Sequence, residues 1–159
     1  MFGGRAQTTL ACAALAACGG APRKPASTPP AGKVVTLEVM PAESDAFPAA
    51  AKAVTDWLSR ARVSGVDRTQ VSKVSLEVVQ LSIECVEPSA ACYQAVARTL
   101  SADRILFAQI APGPKKKQLK VTVSLFAIND PFPHSAERVF ASEQEAEQKM
   151  GELVSEVTR

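Results

Sequence analysis

The chain has 159 residues, with 18 Lys and Arg, 16 Asp and Glu, and four cysteines. Arg5, Arg23 and Lys24 account for three of the cations, so residues 33–159 carry 15 basic against 16 acidic side chains. A segment so close to neutrality lacks the broad positive field on which nucleic-acid binding depends, and we expect no nucleic-acid partner.

The amino-terminal eighteen residues have the layout of an export signal. One positive charge, Arg5, precedes an apolar run over residues 8–17 that is too short to span a bilayer. The run ends in the sequence LAAC, residues 15–18, which resembles the lipobox of bacterial lipoproteins. The alternatives are an ordinary signal peptide cut after Ala17 and a buried apolar helix, which the following Gly-Gly pair disfavours.

The lipobox resemblance implies that residues 1–17 are a signal peptide and that Cys18 is diacylglycerated at its thiol and acylated at its new amino terminus. Two or three acyl chains anchor a protein stably, so the resemblance predicts attachment to a membrane. Gly19 rather than Asp follows the cysteine, which under the enterobacterial sorting rule favours the outer membrane, facing the periplasm.

Residues 19–32, GGAPRKPASTPPAG, contain no large apolar side chain and cannot bury enough surface to fold. We therefore expect a lipidated cysteine and a disordered tether over residues 18–32, followed by a single domain over residues 33–159. No second long apolar run follows, so the sequence predicts no further membrane span.

The domain opens with an alternating strand pattern that ends at Pro41. A helix is predicted next, with Ser44 or Asp45 as cap, Pro48 in the first turn and Gly65 beyond the last turn. Its predicted inward face consists of apolar residues at helical spacing: Phe47, Ala50, Ala51, Val54, Leu58 and Ala61.

Residues 66–85 fit two patterns. After residue 75, one set of apolar residues fits a helical stripe: Leu76, Val79, Ile83 and Val86. Another set fits a strand alternation broken by one step: Leu76, Val78, Leu81 and Ile83. We predict a short strand near residues 68–74 and a helix over residues 75–85, with Ser75 as N-cap, and the strand reading remains the alternative.

The second half of the domain is clearer. Ser89 is predicted to cap a helix, and residues 105–110 and 119–125 are predicted to form a hairpin. AERVFAS adds a short strand, and Ser142 with Glu145 forms a capping box that starts the last helix. The fold class is therefore α/β, an α+β sandwich with a mixed sheet of four to five strands and three to four helices.

The phrase RTLSADRILFAQI, with this order of elements, resembles the small α/β domain at the amino end of TolB. It is also similar to lipoproteins of the curli-secretion type and to short envelope lipoproteins in which a Cys pair precedes the same phrase. The resemblance implies a fold and an envelope location, and it implies no functional residue.

Catalytic and metal-binding patterns are sparse. His134 is the one histidine, and we interpret it as a solvated loop residue. The sequence contains neither a G-x-S-x-G elbow nor four Cys/His ligands with zinc spacing, so we predict no catalytic residue, no metal and no cofactor. Lys115, Lys116 and Lys117 lie at the hairpin tip; they are either an anionic-surface contact or a solvated turn.

Cys85 and Cys92 are the cysteines that remain if Cys12 leaves with the signal peptide and Cys18 is acylated. In an oxidising periplasm such a pair most simply forms a disulfide; two buried thiols are the alternative. These features together predict a non-enzymatic envelope lipoprotein whose domain binds or helps assemble a protein partner. The alternative is a small hydrolase or ligand-binding enzyme with an unrecognised site.

Overall fold

The computed structural model describes residues 32–85 and 87–159, which include one compact unit over Lys33–Arg159. The predicted signal peptide, Cys18 and residues 18–31 of the predicted tether lie outside the described residues. The elements, in chain order, are β1 (Thr36–Val39), α1 (Pro48–Arg60), β2 (Arg68–Val71), α2 (Leu76–Ser82), α3 (Ala90–Thr99), β3 (Arg104–Pro112), β4 (Leu119–Ala127), β5 (His134–Phe140) and α4 (Glu143–Thr158).

The five strands form one mixed sheet in the order β2-β1-β3-β4-β5. β1 pairs in parallel with both β2 and β3, whereas the β3–β4 and β4–β5 pairs are antiparallel. The predicted α/β class, with a mixed sheet, a hairpin and three to four helices, is confirmed.

Helices cover both faces of the sheet because successive strand residues point in opposite directions. On β3, Leu106 and Ala108 face the core shared with α1 and α4, whereas Ile105 and Phe107 face the core shared with α2 and α3. β4 shows the same alternation, which the sequence predicted from its apolar and polar residues.

Helix α1 begins later than either predicted cap. Its N-cap is Phe47, and the Ser44 hydroxyl accepts a hydrogen bond from Phe47 N at 3.2 Å. The Glu143 carboxylate, at the start of α4, accepts from Ala50 N at 2.9 Å. The free N–H groups of α1 are thus satisfied in part from a distant helix, which local sequence does not reveal.

The ambiguous segment contains both a strand and a helix, each shorter than predicted. β2 ends at Val71, and α2 ends at Ser82 because Glu84, with φ of 55°, reverses the chain. Ser75 is the N-cap, but its buried hydroxyl has no hydrogen-bond partner among the described residues.

Both predicted caps of the later helices are present. Ser89 Oγ accepts from Cys92 N, and Ser142 Oγ accepts from Glu145 N. The Glu145 carboxylate returns to Ala141 N at 2.7 Å, one residue before the position that a standard capping box uses.

Candidate functional site

Strand β2 forms one edge of the sheet, and all four of its residues are exposed. Arg68 N donates to the carbonyl of Val35, just before β1, and Ser72 N donates to that of Val39, so the backbone groups of even-numbered residues point towards β1. Alternation along a strand turns the N–H and C=O of Thr69 and Val71 outward. Within residues 32–85 and 87–159 no strand pairs with that side of β2, so it offers free donors and acceptors.

Apolar side chains remain exposed along the short stretch that runs from β2 into α2. Val71 is 50% exposed, Val74 41%, Val78 46% and Leu81 65%. Val78 and Leu81 lie three residues apart on α2 and are therefore neighbours on its outer side. The Val71 side chain lies on the other face of the sheet from α2, because its register partner Val39 packs in the core shared with α1 and α4. We call Val74, Val78 and Leu81, with the outer edge of β2, the β2–α2 surface.

Helix α2 has little apolar surface with which to hold itself in place. Leu76 and Val79 are its buried residues, and both pack in the core that contains Tyr93 of α3. The Tyr93 ring lies 5.1 Å from that of Phe107 and 5.5 Å from that of Phe126, which fixes α3 on the sheet. The position of α2 therefore depends on its attachment to α3.

The structure joins Cys85, just after α2, to Cys92, in the first turn of α3, with Cα atoms 5.6 Å apart. Gln80 Nε2 on α2 lies 3.3 Å from the Cys92 sulfur. Cys92 is buried, which is typical of a structural bond rather than a redox centre. Closing a loop this short stabilises a fold by roughly 2–3 kcal/mol in the chain-entropy model. The bond therefore holds α2 against α3, and in this way it also fixes the position of the β2–α2 surface.

His134 was predicted to lie in a loop, but it is the first residue of β5. Its Nδ1 is 3.1 Å from Val157 O, and because a carbonyl only accepts, this nitrogen carries the proton. His134 and Asp130 line the same pocket, of about 500 Å³, yet no hydrogen bond joins them in the described part of the chain. This arrangement lacks the oriented base that a hydrolytic triad requires.

Asp103 lines the same pocket and fastens the start of β1 to the start of β3. Its carboxylate accepts from Thr36 N and Thr36 Oγ1 and pairs with Lys33 at 2.6 Å. The hydrogen bond from Lys33, followed by that from Thr36 N, lowers the pKa of Asp103 to about 2. Through these contacts Asp103 links the start of β1 to the start of β3, so its role is structural.

Lys115, Lys116 and Lys117 are exposed in the turn between β3 and β4, at the predicted hairpin tip. Their proposed contact with an anionic surface stays a prediction. In the described ranges, no group of three or more His, Cys, Asp or Glu residues is placed to hold a metal ion. Among the same residues, no helix has the length and hydropathy needed to cross a bilayer.

No protein-family model and no curated protein matches the chain. Among solved structures it is similar to the LpoB C-terminal domain from Salmonella enterica, with 15% identity, TM-score 0.42, and coverage of 69% of this chain and 87% of that one. It is also similar to the PelC dodecamer protein from Paraburkholderia phytofirmans, with 12% identity, TM-score 0.43, and coverage of 79% and 88%. A likeness at these values carries no functional argument, and the predicted resemblance to TolB stays a prediction.

The exposed apolar residues were the part of the site that sequence reasoning missed. Val78 and Leu81 belong to the alternation that competed with the helical stripe, which would bury them; the helical stripe leaves both out, but no surface was predicted from them. The signal in the sequence was that α2 carries more apolar residues than one face of a seven-residue helix can bury.

Proposed function

We propose that the protein is a lipid-anchored, non-enzymatic binding or assembly module of the bacterial cell envelope, and that it acts through the β2–α2 surface. The observation that supports this most directly is an unpaired strand edge, β2, that leads along the chain into a helix, α2, with exposed apolar side chains. Isolated exposed apolar residues are ordinary, but an open edge beside them fits recognition of an extended peptide.

The occupant that this geometry fits is an extended segment of another envelope protein. Its backbone would pair with the outward N–H and C=O groups of Thr69 and Val71. Its apolar side chains would cover Val74, Val78 and Leu81, whose burial contributes about 25 cal/mol for each Å² removed from water.

The sequence and the disulfide support the proposed cellular location and the proposed lipid anchor. The lipobox that ends at Cys18 supports anchoring through acyl chains in the outer membrane, facing the periplasm. The Cys85–Cys92 bond supports an oxidising compartment, because such bonds rarely persist in a reducing cytosol.

The test is site-specific photo-crosslinking in cells that make the full chain. A photoreactive side chain at Leu81 is expected to crosslink to one protein, identified by mass spectrometry. The matched control is the same group at Gln148, exposed on α4 on the other face of the sheet, which should give no such product. Absence of a specific product from position 81, or the same product from both positions, would contradict the proposal.

The enzyme alternative has less support. The pocket that holds His134 also contains Lys33, Asp103, Arg104 and Asp130, but Asp103 is committed to Thr36 and Lys33 and the histidine faces a backbone carbonyl. Neither group is arranged to activate a nucleophile.

A further inference from the structure

A groove of about 550 Å³ lies between the carboxyl-terminal halves of α1 and α4, away from the β2–α2 surface. Its apolar lining includes Trp57, Val63 and Val154. Arg60, Arg62 and Arg159 also line it, and its lining contains no Asp or Glu. We call it the arginine groove.

The three guanidinium groups are not neutralised by side chains in the described structure. None of its ion pairs involves Arg60, Arg62 or Arg159. Acidic residues of the two helices form their ion pairs outside the groove: Asp56 pairs with Lys52 and attracts Arg60 only at longer range, and the Glu152 and Glu156 carboxylates pair with Arg138.

Helix dipoles explain part of this charge but not all of it. α1 and α4 both end at the groove, and each helix carboxyl end carries about half a negative charge. Three full positive charges exceed the two half charges even when the α-carboxylate of Arg159 is counted, so the groove keeps a positive excess of about one charge. Guanidinium groups bind carboxylates with paired, directional hydrogen bonds.

The Trp57 indole packs against α4 and forms part of the wall of the groove, so it does not project into solvent. One side of its indole lies against Gly151, and its Nε1 lies 3.4 Å from Glu147 O. Trp57 is nevertheless 39% exposed, so an apolar side chain can pack on its free surface.

We propose that the arginine groove binds an acidic peptide segment that carries an apolar side chain. The carboxylates bind Arg60 and Arg62, and the apolar side chain packs on Trp57 and Val154. A bilayer fits poorly because the site is concave and the indole is held in its wall. The chain's own residues 1–31 do not complement it, since they contain no Asp or Glu.

Trp57 is the one tryptophan of the chain, so its fluorescence reports on the groove directly. The full chain in nonionic detergent is titrated with the peptide acetyl-Asp-Leu-Glu-Phe-Asp-amide. We expect a saturable change in emission, with a dissociation constant at least tenfold higher in the Arg60→Gln/Arg62→Gln variant. Both arginines are exposed, so the variant should keep the circular dichroism of the parent.

The control variant Arg98→Gln removes an exposed positive charge at the end of α3, outside the groove, and should bind like the parent. Three further titrations test whether the response is specific to an acidic peptide. The titrants are the same peptide with Asn and Gln in place of Asp and Glu, inorganic phosphate, and phosphatidylglycerol vesicles. An equal response to any of these, or equal binding by the Arg60/Arg62 variant, would overturn the proposal. Because the β2–α2 surface is untouched, this outcome is independent of the crosslinking from position 81.

Discussion

Gly151 of α4 lies directly against the indole ring of Trp57 of α1. A methyl group at position 151 would stand 2.8 Å from Cη2 of that ring, closer than real Cβ contacts allow. Glycine in a helix interior costs about 1 kcal/mol relative to alanine. This contact explains why the helix carries it, because the close packing of α1 on α4 needs a residue without a side chain.

We therefore predict that Gly151→Ala destabilises the protein despite the better helix propensity of alanine. Overpacking of this kind costs roughly 1–3 kcal/mol, which exceeds the propensity gain. Urea denaturation followed by circular dichroism gives the free energy of unfolding, and Trp57 emission should shift as the ring is displaced. Gln148→Ala, on the exposed side of the same helix, is the control and should leave both unchanged. A more stable Gly151→Ala protein would show that the ring moves aside without cost.

Ser75 and Ser89 are a matched pair of N-cap serines with opposite expected behaviour. Ser89 Oγ accepts from Cys92 N at 3.3 Å, so Ser89→Ala should cost about 1 kcal/mol. The Ser75 hydroxyl is buried and has no partner within the described residues, so Ser75→Ala should be neutral or stabilising, by up to about 1 kcal/mol. Thermal or urea unfolding of the two variants measures the difference. Equal losses would show that Ser75 also caps its helix in solution.

The Cys85–Cys92 bond should contribute measurably to stability. We expect the Cys85→Ser/Cys92→Ser variant to lose roughly 2–3 kcal/mol in free energy of unfolding. Hydrogen exchange should increase most in α2, because its remaining hold on the domain is through Leu76 and Val79. The oxidised parent, compared with the same protein in reductant, is the control. Unchanged exchange in α2 would mean that apolar packing alone fixes this helix.

Asp103 should make stability depend on pH in the acid range. Its pKa is lowered from 3.8 to about 2 in the folded state, so the ionised carboxylate stabilises the fold above pH 4 or so. That contribution is lost as the pH falls from about 4 towards 2. Melting temperatures across this range should fall more steeply in the parent than in Asp103→Asn. Parallel curves for the two proteins would show that the contacts of Asp103 between β1 and β3 do not stabilise the fold.

The proposed lipid anchor has a direct chemical test. Palmitate supplied to cells should label the parent protein and should not label Cys18→Ala, because the thiol of residue 18 is the predicted acceptor. Cys12→Ala, which changes a cysteine inside the predicted signal peptide, is the matched control and should be labelled normally. Equal labelling of the Cys18→Ala variant would refute the anchor.

Most of the fold was predictable because its elements carry strong periodic patterns. The alternation Leu119, Val121, Val123 on β4 and the cap at Ser89 were read from the sequence and are present. The extent of α2 was not predictable, because its stripe also fits a broken strand. The burial of Leu76 and Val79 beside Tyr93 decides it, and that contact joins residues from two helices.

The sites were less predictable than the fold. The predicted inward face of the first helix leaves out Arg60 and Arg62, which are exposed, but the groove they line also needs residues of α4, some ninety positions later. The open edge of β2 depends on which strands become neighbours, and a sequence pattern does not state strand order. Local patterns report which residues are buried along one element, whereas sites arise between elements.

The central claim is that an extended segment of an envelope partner pairs with the outer edge of β2. Its most direct test is crosslinking from position 81 in the Thr69→Pro and Thr69→Ala variants. Proline removes the outward N–H of residue 69, leaves the inward bonds to β1 in place, and is tolerated on an edge strand. Alanine keeps the N–H, and equal melting temperatures for the two variants would show that both are folded. We predict loss of the crosslinked product in Thr69→Pro and its retention in Thr69→Ala; equal yields from both variants would contradict the account.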